Sequence, residues 1–219
     1  MKHNVKKLLA LALSAVLCLG VLSGCGSSFS ATDLVKGNLD LIYLNQYTDE
    51  YLKSVDLTKD EANQQYEDGI AVEVEYFCNY FSVVLDYCDD TIEPQITDLY
   101  HQIYEYSKFE VGGESKNGDT YLVELTVYPI DIMQKVMEED SETITATWEE
   151  MNAAGGLDTE EAYETAWAQL IIDTVSARVG SIGYLEPQTI SVQVTKGADN
   201  LYTIDSNDFS RIDGLIIAY

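Results

Sequence analysis

The hydrophobic period of this chain changes from a helical 3.6 to a strand-like two and back at two places, and that alternation limits its fold more than any other feature. Phe109 and Val111 alternate with Lys108 and Glu110, and Val123, Leu125 and Val127 alternate with Glu124, Thr126 and Tyr128. Such alternation turns one face of each strand to a core and the other to water. Gly112-Gly113 and Asn117-Gly118 supply a turn region and Pro129 ends the second strand, so the stretch predicts a hairpin. The pattern returns at Ile190, Val192 and Val194, where the turn KGADN (196–200) leads to a short strand holding Tyr202 and Ile204.

Helical periods fill the rest. Leu34, Val35, Leu39 and Ile42 predict a first helix over residues 32 to about 47, capped by Thr32 or Asp33. A second begins at Thr58-Lys59-Asp60-Glu61, which has the form of a capping box. Its inner face runs through Tyr66, Ile70, Val74, Phe77, Phe81, Val84, Leu85 and Cys88 to about residue 89, with Gly69 as a weak point. A third opens at Glu93-Pro94, where proline suits a first turn, and turns Ile96, Leu99, Tyr100, Ile103 and Ser107 inward. Runs from Asp131 to Met151 and from Asp158 to Val175, divided at Gly155-Gly156, predict a helical hairpin between the two pairs of strands. Phe209, Ile212, Leu215 and Ile216 suit a short closing helix.

The order is ααα-ββ-αα-ββ-α. It predicts an α+β fold in which two hairpins join into one antiparallel sheet of about four strands, covered by helices on one side. No Pro-rich or Gly/Ser linker follows Ala31, so residues 32–219 are expected to form a single domain.

The first residues carry a different message. MKHNVKK holds three lysines and no acid, and an uncharged apolar run from Leu8 to Leu22 follows, the order of a secretory signal. That run is shorter than the ~20 residues a spanning helix needs. Leu22-Ser23-Gly24-Cys25 resembles the lipobox of bacterial lipoproteins. The resemblance implies that residues 1–24 are removed and that Cys25 becomes a diacylglyceryl-modified first residue. Residues 25–31 are then the lipidated cysteine and a short tether, and the domain sits on the outer face of the cell membrane.

Loss of residues 1–24 leaves nine basic and 38 acidic side chains, a formal charge near −29. Nucleic acid is excluded as a partner because a phosphate-binding surface needs clustered Lys and Arg, and anionic headgroups are expected to be poor partners for the same reason. The acidity serves solubility at a crowded surface. The richest acidic loop, DSNDFSRIDG (205–214), fails as a calcium loop because Phe209 stands where an oxygen ligand belongs and Arg211 lies inside it. No metal site and no cofactor are implied. Cys78 and Cys88, ten residues apart on one expected helix, would be separated by about 15 Å, beyond the ~7 Å reach of a disulfide, and are read as packed thiols.

The lipobox, the Tyr-rich LVKGNLDLIYLNQYTDEYLKSV, the TKDEANQQYEDGI helix start and the strand ending YLVELTVYPI together resemble small uncharacterised lipoproteins of Gram-positive Firmicutes. Some of these are similar to the NTF2-like or cystatin-like α+β class, which implies helices packed on a curved sheet. The resemblance carries no catalytic residue.

Candidate chemistry is sparse. His101 lies beside Asp98 and Glu105 on its helix, an arrangement that suits a general base but is commoner on a solvated surface. Acids cluster at Asp89-Asp90-Glu93, Glu138-Glu139-Asp140 and Asp205-Asp208, and two of them facing each other at about 5–10 Å would suit a glycosidase. Sixteen tyrosines against five phenylalanines are the least ordinary feature. Tyr43, Tyr47 and Tyr51 recur at i, i+4, and so do Tyr100 and Tyr104. These five serve either as boundary residues, ring inward and hydroxyl wet, or as a patch that stacks on a ligand. The expectation is a non-enzymatic lipid-anchored protein that binds a glycan or protein partner in the cell envelope. A carboxylate-based hydrolase of envelope polymers and a structural accessory subunit of a membrane complex stand as alternatives.

Overall fold

The computed structural model describes residues 21–22, 29–197 and 201–219; Cys25 and the rest of its lipobox after Leu22 lie outside them. The chain forms two compact units, each discontinuous in sequence. Unit 1 comprises Met1–Gly69, Ser107–Pro129 and Glu186–Ile216, and unit 2 comprises Ile70–Tyr106, Ile130–Leu185 and Ile217–Tyr219. The fold is α+β, as the alternating periods require.

Unit 1 holds the sheet: β1 (Val21–Leu22), β2 (Lys108–Asn117), β3 (Thr120–Tyr128), β4 (Gln188–Lys196) and β5 (Leu201–Ile204). All pairs are antiparallel and the order is β1-β5-β4-β3-β2, so the two expected hairpins join through β3 and β4. The inward set Val123, Leu125, Val127, Val192 and Val194 is fully buried, each side chain contributing about 1.5–3 kcal/mol. Helices α1 (Ala31–Leu44) and α8 (Ser206–Ile216) pack on the sheet, α1 on β2 and β3 and α8 on β3 and β4. Gly112-Gly113 is not a turn but a bulge within β2, where the register shifts between Val111 and Glu114. A Cβ on Gly112 would come 3.2 Å from the Glu124 Cβ, so the strands approach too closely there for a larger residue to enter freely. The turn itself is Gly118-Asp119, between the paired Asn117 and Thr120.

The leading helical block is more broken than its periodicity predicts. Ser30, not Thr32 or Asp33, caps α1, accepting from Asp33 N at 3.0 Å. The helix ends at Leu44 rather than near residue 47 because Asn45 turns left-handed (φ 51°) and Gln46 N donates to Asp40 O. A separate short helix, α2 (Asp49–Ser54), follows under a Thr48 cap. Helix α3 (Lys59–Tyr80) begins at the expected capping box: Glu61 N donates to Thr58 Oγ1, and Thr58 N to Glu61 Oε2.

Unit 2 contains the second half of α3, α4 (Ile92–Tyr104), α5 (Ile132–Lys135), a π turn (Val136–Asp140), α6 (Ser141–Ala154) and α7 (Glu160–Val179). The inserted helical pair is present and breaks at Gly155-Gly156 as expected, with Thr159 capping α7. The expected run of α3 to residue 89 is wrong. Ser82 takes a left-handed conformation (φ 57°) and Val83 N closes back on Cys78 O, which stops the helix and leaves Val84 exposed. A 3-10 turn at Leu85–Tyr87 follows, so Cys78 and Cys88 do not share a helix. Both are free, half-buried thiols rather than core residues. Burial, helped by the nearby Cys88, Glu93 and Glu75, pushes the Cys78 thiol up to about 12, far from a reactive thiolate.

Candidate functional site

The five singled-out tyrosines do not form one face. Tyr43 is fully buried on α1, stacked near Phe209 with its hydroxyl donating to Asp213 Oδ1 at 3.2 Å. Tyr47 stands in the α1–α2 turn and donates to Asn63 Oδ1 at 2.9 Å. Tyr51 lies on α2. The left-handed Asn45 breaks the helical stripe that their spacing predicts and folds α2 back against α1.

That fold-back makes a cleft of about 680 Å³ in unit 1. Its depth depends on Gly37, in the middle of α1, because the Tyr51 ring occupies the space a side chain would need. A Cβ on Gly37 would fall 2.3 Å from Tyr51 Cδ2 and Cε2. The cleft walls carry Asp33, Asp40 and Glu50 against a single cation, Lys36, which pairs with Asp40. Gln46, Thr48 and Ser54 add uncharged polar groups, and Tyr47 and Phe29 aromatic surface. Behind the cleft, Tyr51 Oη and Asn38 Oδ1 are buried without a formed hydrogen bond. Burial raises the Tyr51 phenol pKa, and the Asn38 amide beside it offsets that only in part.

Tyr100 and Tyr104 belong to unit 2 and are spent internally. Glu73, 3% exposed on α3, accepts from Tyr104 Oη at 2.9 Å and from Tyr219 Oη at 2.6 Å, while the Tyr100 and Tyr219 hydroxyls meet at 2.6 Å. Burial, with the Glu73 charge beside it, raises the Tyr100 pKa well above its ordinary value, and Tyr219 moves the same way. These hydroxyls are not wet, as a boundary role would have them. Sequence reading missed Glu73, although its position three residues after Ile70 and four before Phe77 places a carboxylate inside the buried stripe of α3.

The acidic clusters are engaged in the fold. Asp89 Oδ1 accepts from Thr91 N and Oγ1; Arg178 spans Asp140 and Glu139; Asp208 Oδ2 accepts from Gln193 N at 2.8 Å. Asp205 Oδ1 accepts from Asn207 N and Asp208 N at the start of α8, so most of the 205–214 stretch is helix. His101 is half-buried, its Nδ1 4.0 Å from Asp98 Oδ1. Among the described residues no group of His, Cys, Asp and Glu is placed to hold a metal ion. A second hollow of about 570 Å³ in unit 2, beside α6 and α7, has no aromatic residue in its lining.

No family model and no curated protein matches the chain. Among solved structures the fold is similar to that of a Bacillus subtilis strain 168 protein described as a lipoprotein, ycdA. The two are 15% identical with a TM-score of 0.61, over 95% of this chain and 59% of that one. At that identity the likeness speaks for the fold alone. No helix among the described residues is long and apolar enough to cross a membrane.

Proposed function

We propose that this chain is a lipid-anchored, non-enzymatic binding protein of the outer membrane face, and that the α1–α2 cleft of unit 1 receives its ligand. The anchor reading rests on the lipobox at Leu22-Ser23-Gly24-Cys25, and similarity in fold to a protein described as a lipoprotein supports it. We read the sheet of unit 1, with α1 laid across its hairpins, as cystatin-like in kind. The observation that carries the binding reading is the cleft: half-buried Tyr47 offers a stacking face, while carboxylates, an amide and hydroxyls surround it. That mixture suits a polyhydroxylated ligand such as an envelope glycan, whose apolar ring face stacks on the aromatic while its hydroxyls donate to Asp33, Asp40 and Glu50.

The test is binding of cell-wall glycans and muropeptides to the mature protein, with product release followed in parallel. Tyr47→Ala and Glu50→Ala are each expected to weaken binding about tenfold, equivalent to about 1.4 kcal/mol. Gly37→Ala, which displaces the Tyr51 ring, is expected to do the same. Unchanged affinity in all three variants would remove the cleft from the reading. Turnover that vanishes on substituting Asp33, Asp40 or Glu50 would replace it with a hydrolase.

A further inference from the structure

The tether ahead of α1 is lashed to the sheet. Phe29, four residues after Cys25, lies flat on the Tyr202 ring, centroids 3.6 Å apart and planes 9° apart, and meets Tyr121 edge-on at 5.2 Å. Tyr121 and Tyr202 contact each other at 5.8 Å, and each is 7% exposed. Whatever its path, four residues reach at most about 14 Å, and the lipid attachment point stays within that distance of Phe29.

This end of the sheet also carries cations that are placed by rings. Lys116 Nζ stands 4.9 Å from the Tyr121 ring centroid and Lys196 Nζ 5.6 Å from that of Tyr202. Elsewhere in unit 1, Lys36, Lys59 and Arg211 are each paired with a carboxylate, and Lys108, at the opposite end of β2, stands 4.0 Å from the Tyr128 ring centroid. Asp119 lies beside Lys116 and Lys196: its backbone carbonyl accepts from Lys196 N, and its charge, after the Tyr121 contact, adds to the raised pKa of Lys116. Two lysines at one end, seated on a buried aromatic pair and joined by a short tether to the acyl chains of the proposed anchor, suit an anionic headgroup surface.

We infer that the hairpin end of unit 1, where Lys116 and Lys196 are seated on the buried Tyr121–Tyr202 pair beneath Phe29, rests through these two lysines on the phosphate headgroups of the bilayer that holds the Cys25 lipid. The inference builds on the lipid anchor proposed above and reverses the expectation, drawn from net charge, that anionic headgroups are poor partners. Charges of the chain farther than a Debye length of about 8 Å from the bilayer are largely screened, whereas two lysines at contact act within it. Each lysine is worth about five-fold in surface affinity.

The test uses the mature lipidated protein on phosphatidylcholine vesicles, with and without phosphatidylglycerol, that carry a paramagnetic headgroup quencher. In a Cys78→Ser/Cys88→Ser background, a fluorophore is placed at Asn117→Cys, at the hairpin end, or at Gln188→Cys, at the opposite end of β4. The expected result is quenching several-fold stronger at 117 than at 188 on anionic vesicles, with that ratio falling by about half or more after Lys116→Glu/Lys196→Glu. Equal quenching at the two positions, or a ratio unchanged by the double charge reversal, overturns the inference. The mass of the mature chain separates the two failures. If Cys25 carries no lipid, the anchor reading falls and takes this inference with it; if lipid is present and quenching is equal, only the orientation falls.

Discussion

Each unit sets an acid against tyrosine hydroxyls, Asp213 half-buried in unit 1 and Glu73 fully buried in unit 2. In unit 1, Asp213 has one tyrosine donor, Tyr43, at 3.2 Å, and burial raises its pKa because that single bond offsets only part of the lost hydration. In unit 2, Glu73 is more deeply buried, yet Tyr104 and Tyr219 each donate to one of its oxygens. The difference teaches that burial alone does not decide the cost of an acid inside a fold; the number and reach of donors do. Tyrosine suits the task because one side chain supplies both the apolar wall and the donor.

The comparison breaks most strongly at Glu73. Glu73→Ala removes the acceptor shared by two buried hydroxyls, so unit 2 should lose about 3 kcal/mol, with Tyr104→Phe costing about 1.5–2. Both tryptophans, Trp148 and Trp167, lie in unit 2, so a urea titration followed by tryptophan emission reports that unit. A shift of less than 0.5 kcal/mol for Glu73→Ala would mean that the network adds no stability.

Asp213 should behave in the opposite sense. Its folded pKa is raised above 3.8, so folding takes up a proton in the window between that value and the raised one, and stability falls as pH climbs through it. Asp213→Asn should therefore stabilise unit 1 at neutral pH, and the pH dependence across that window should flatten. Hydrogen exchange of the α8 amides measured against pH reads this directly. A variant less stable than wild type at neutral pH would show that the Tyr43 bond outweighs the burial.

The smallest effect belongs to Tyr51. Its hydroxyl is buried without a formed hydrogen bond, so Tyr51→Phe should be neutral or stabilising by up to about 1 kcal/mol, in contrast to the loss at Tyr104. Thermal unfolding of the two variants side by side checks the contrast. A Tyr51→Phe loss as large as that of Tyr104→Phe would reveal a partner for its hydroxyl.

Much of the fold was legible in residues close together along the chain. The Thr58–Glu61 box, the alternating Val123, Leu125 and Val127, and the Gly155-Gly156 break each depend on positions a few residues apart, and each appears in the structure. The largest misses were terminations. Asn45 and Ser82 turn left-handed, which only a few per cent of non-glycine residues do, and neither interrupts the apolar period strongly enough to be seen. Of the cleft, Tyr47 and Tyr51 were visible as unusual tyrosines, but Gly37 carried no signal, since a glycine inside a helical pattern does not announce the ring that lies against it.

The sequence alone determined the α+β class, the two hairpins, the lipobox resemblance and the charge, because periodicity, spacing and composition are local or summed quantities. Only the tertiary structure decided which tyrosines line a cleft and which hold an acid. Glu73 lies 31 residues from Tyr104 and 146 from Tyr219, and Tyr43 lies 170 from Asp213. At such separations nothing in the local pattern selects a partner: the i, i+4 spacing that Tyr43, Tyr47 and Tyr51 share with Tyr100 and Tyr104 leads to two different uses once the chain has folded.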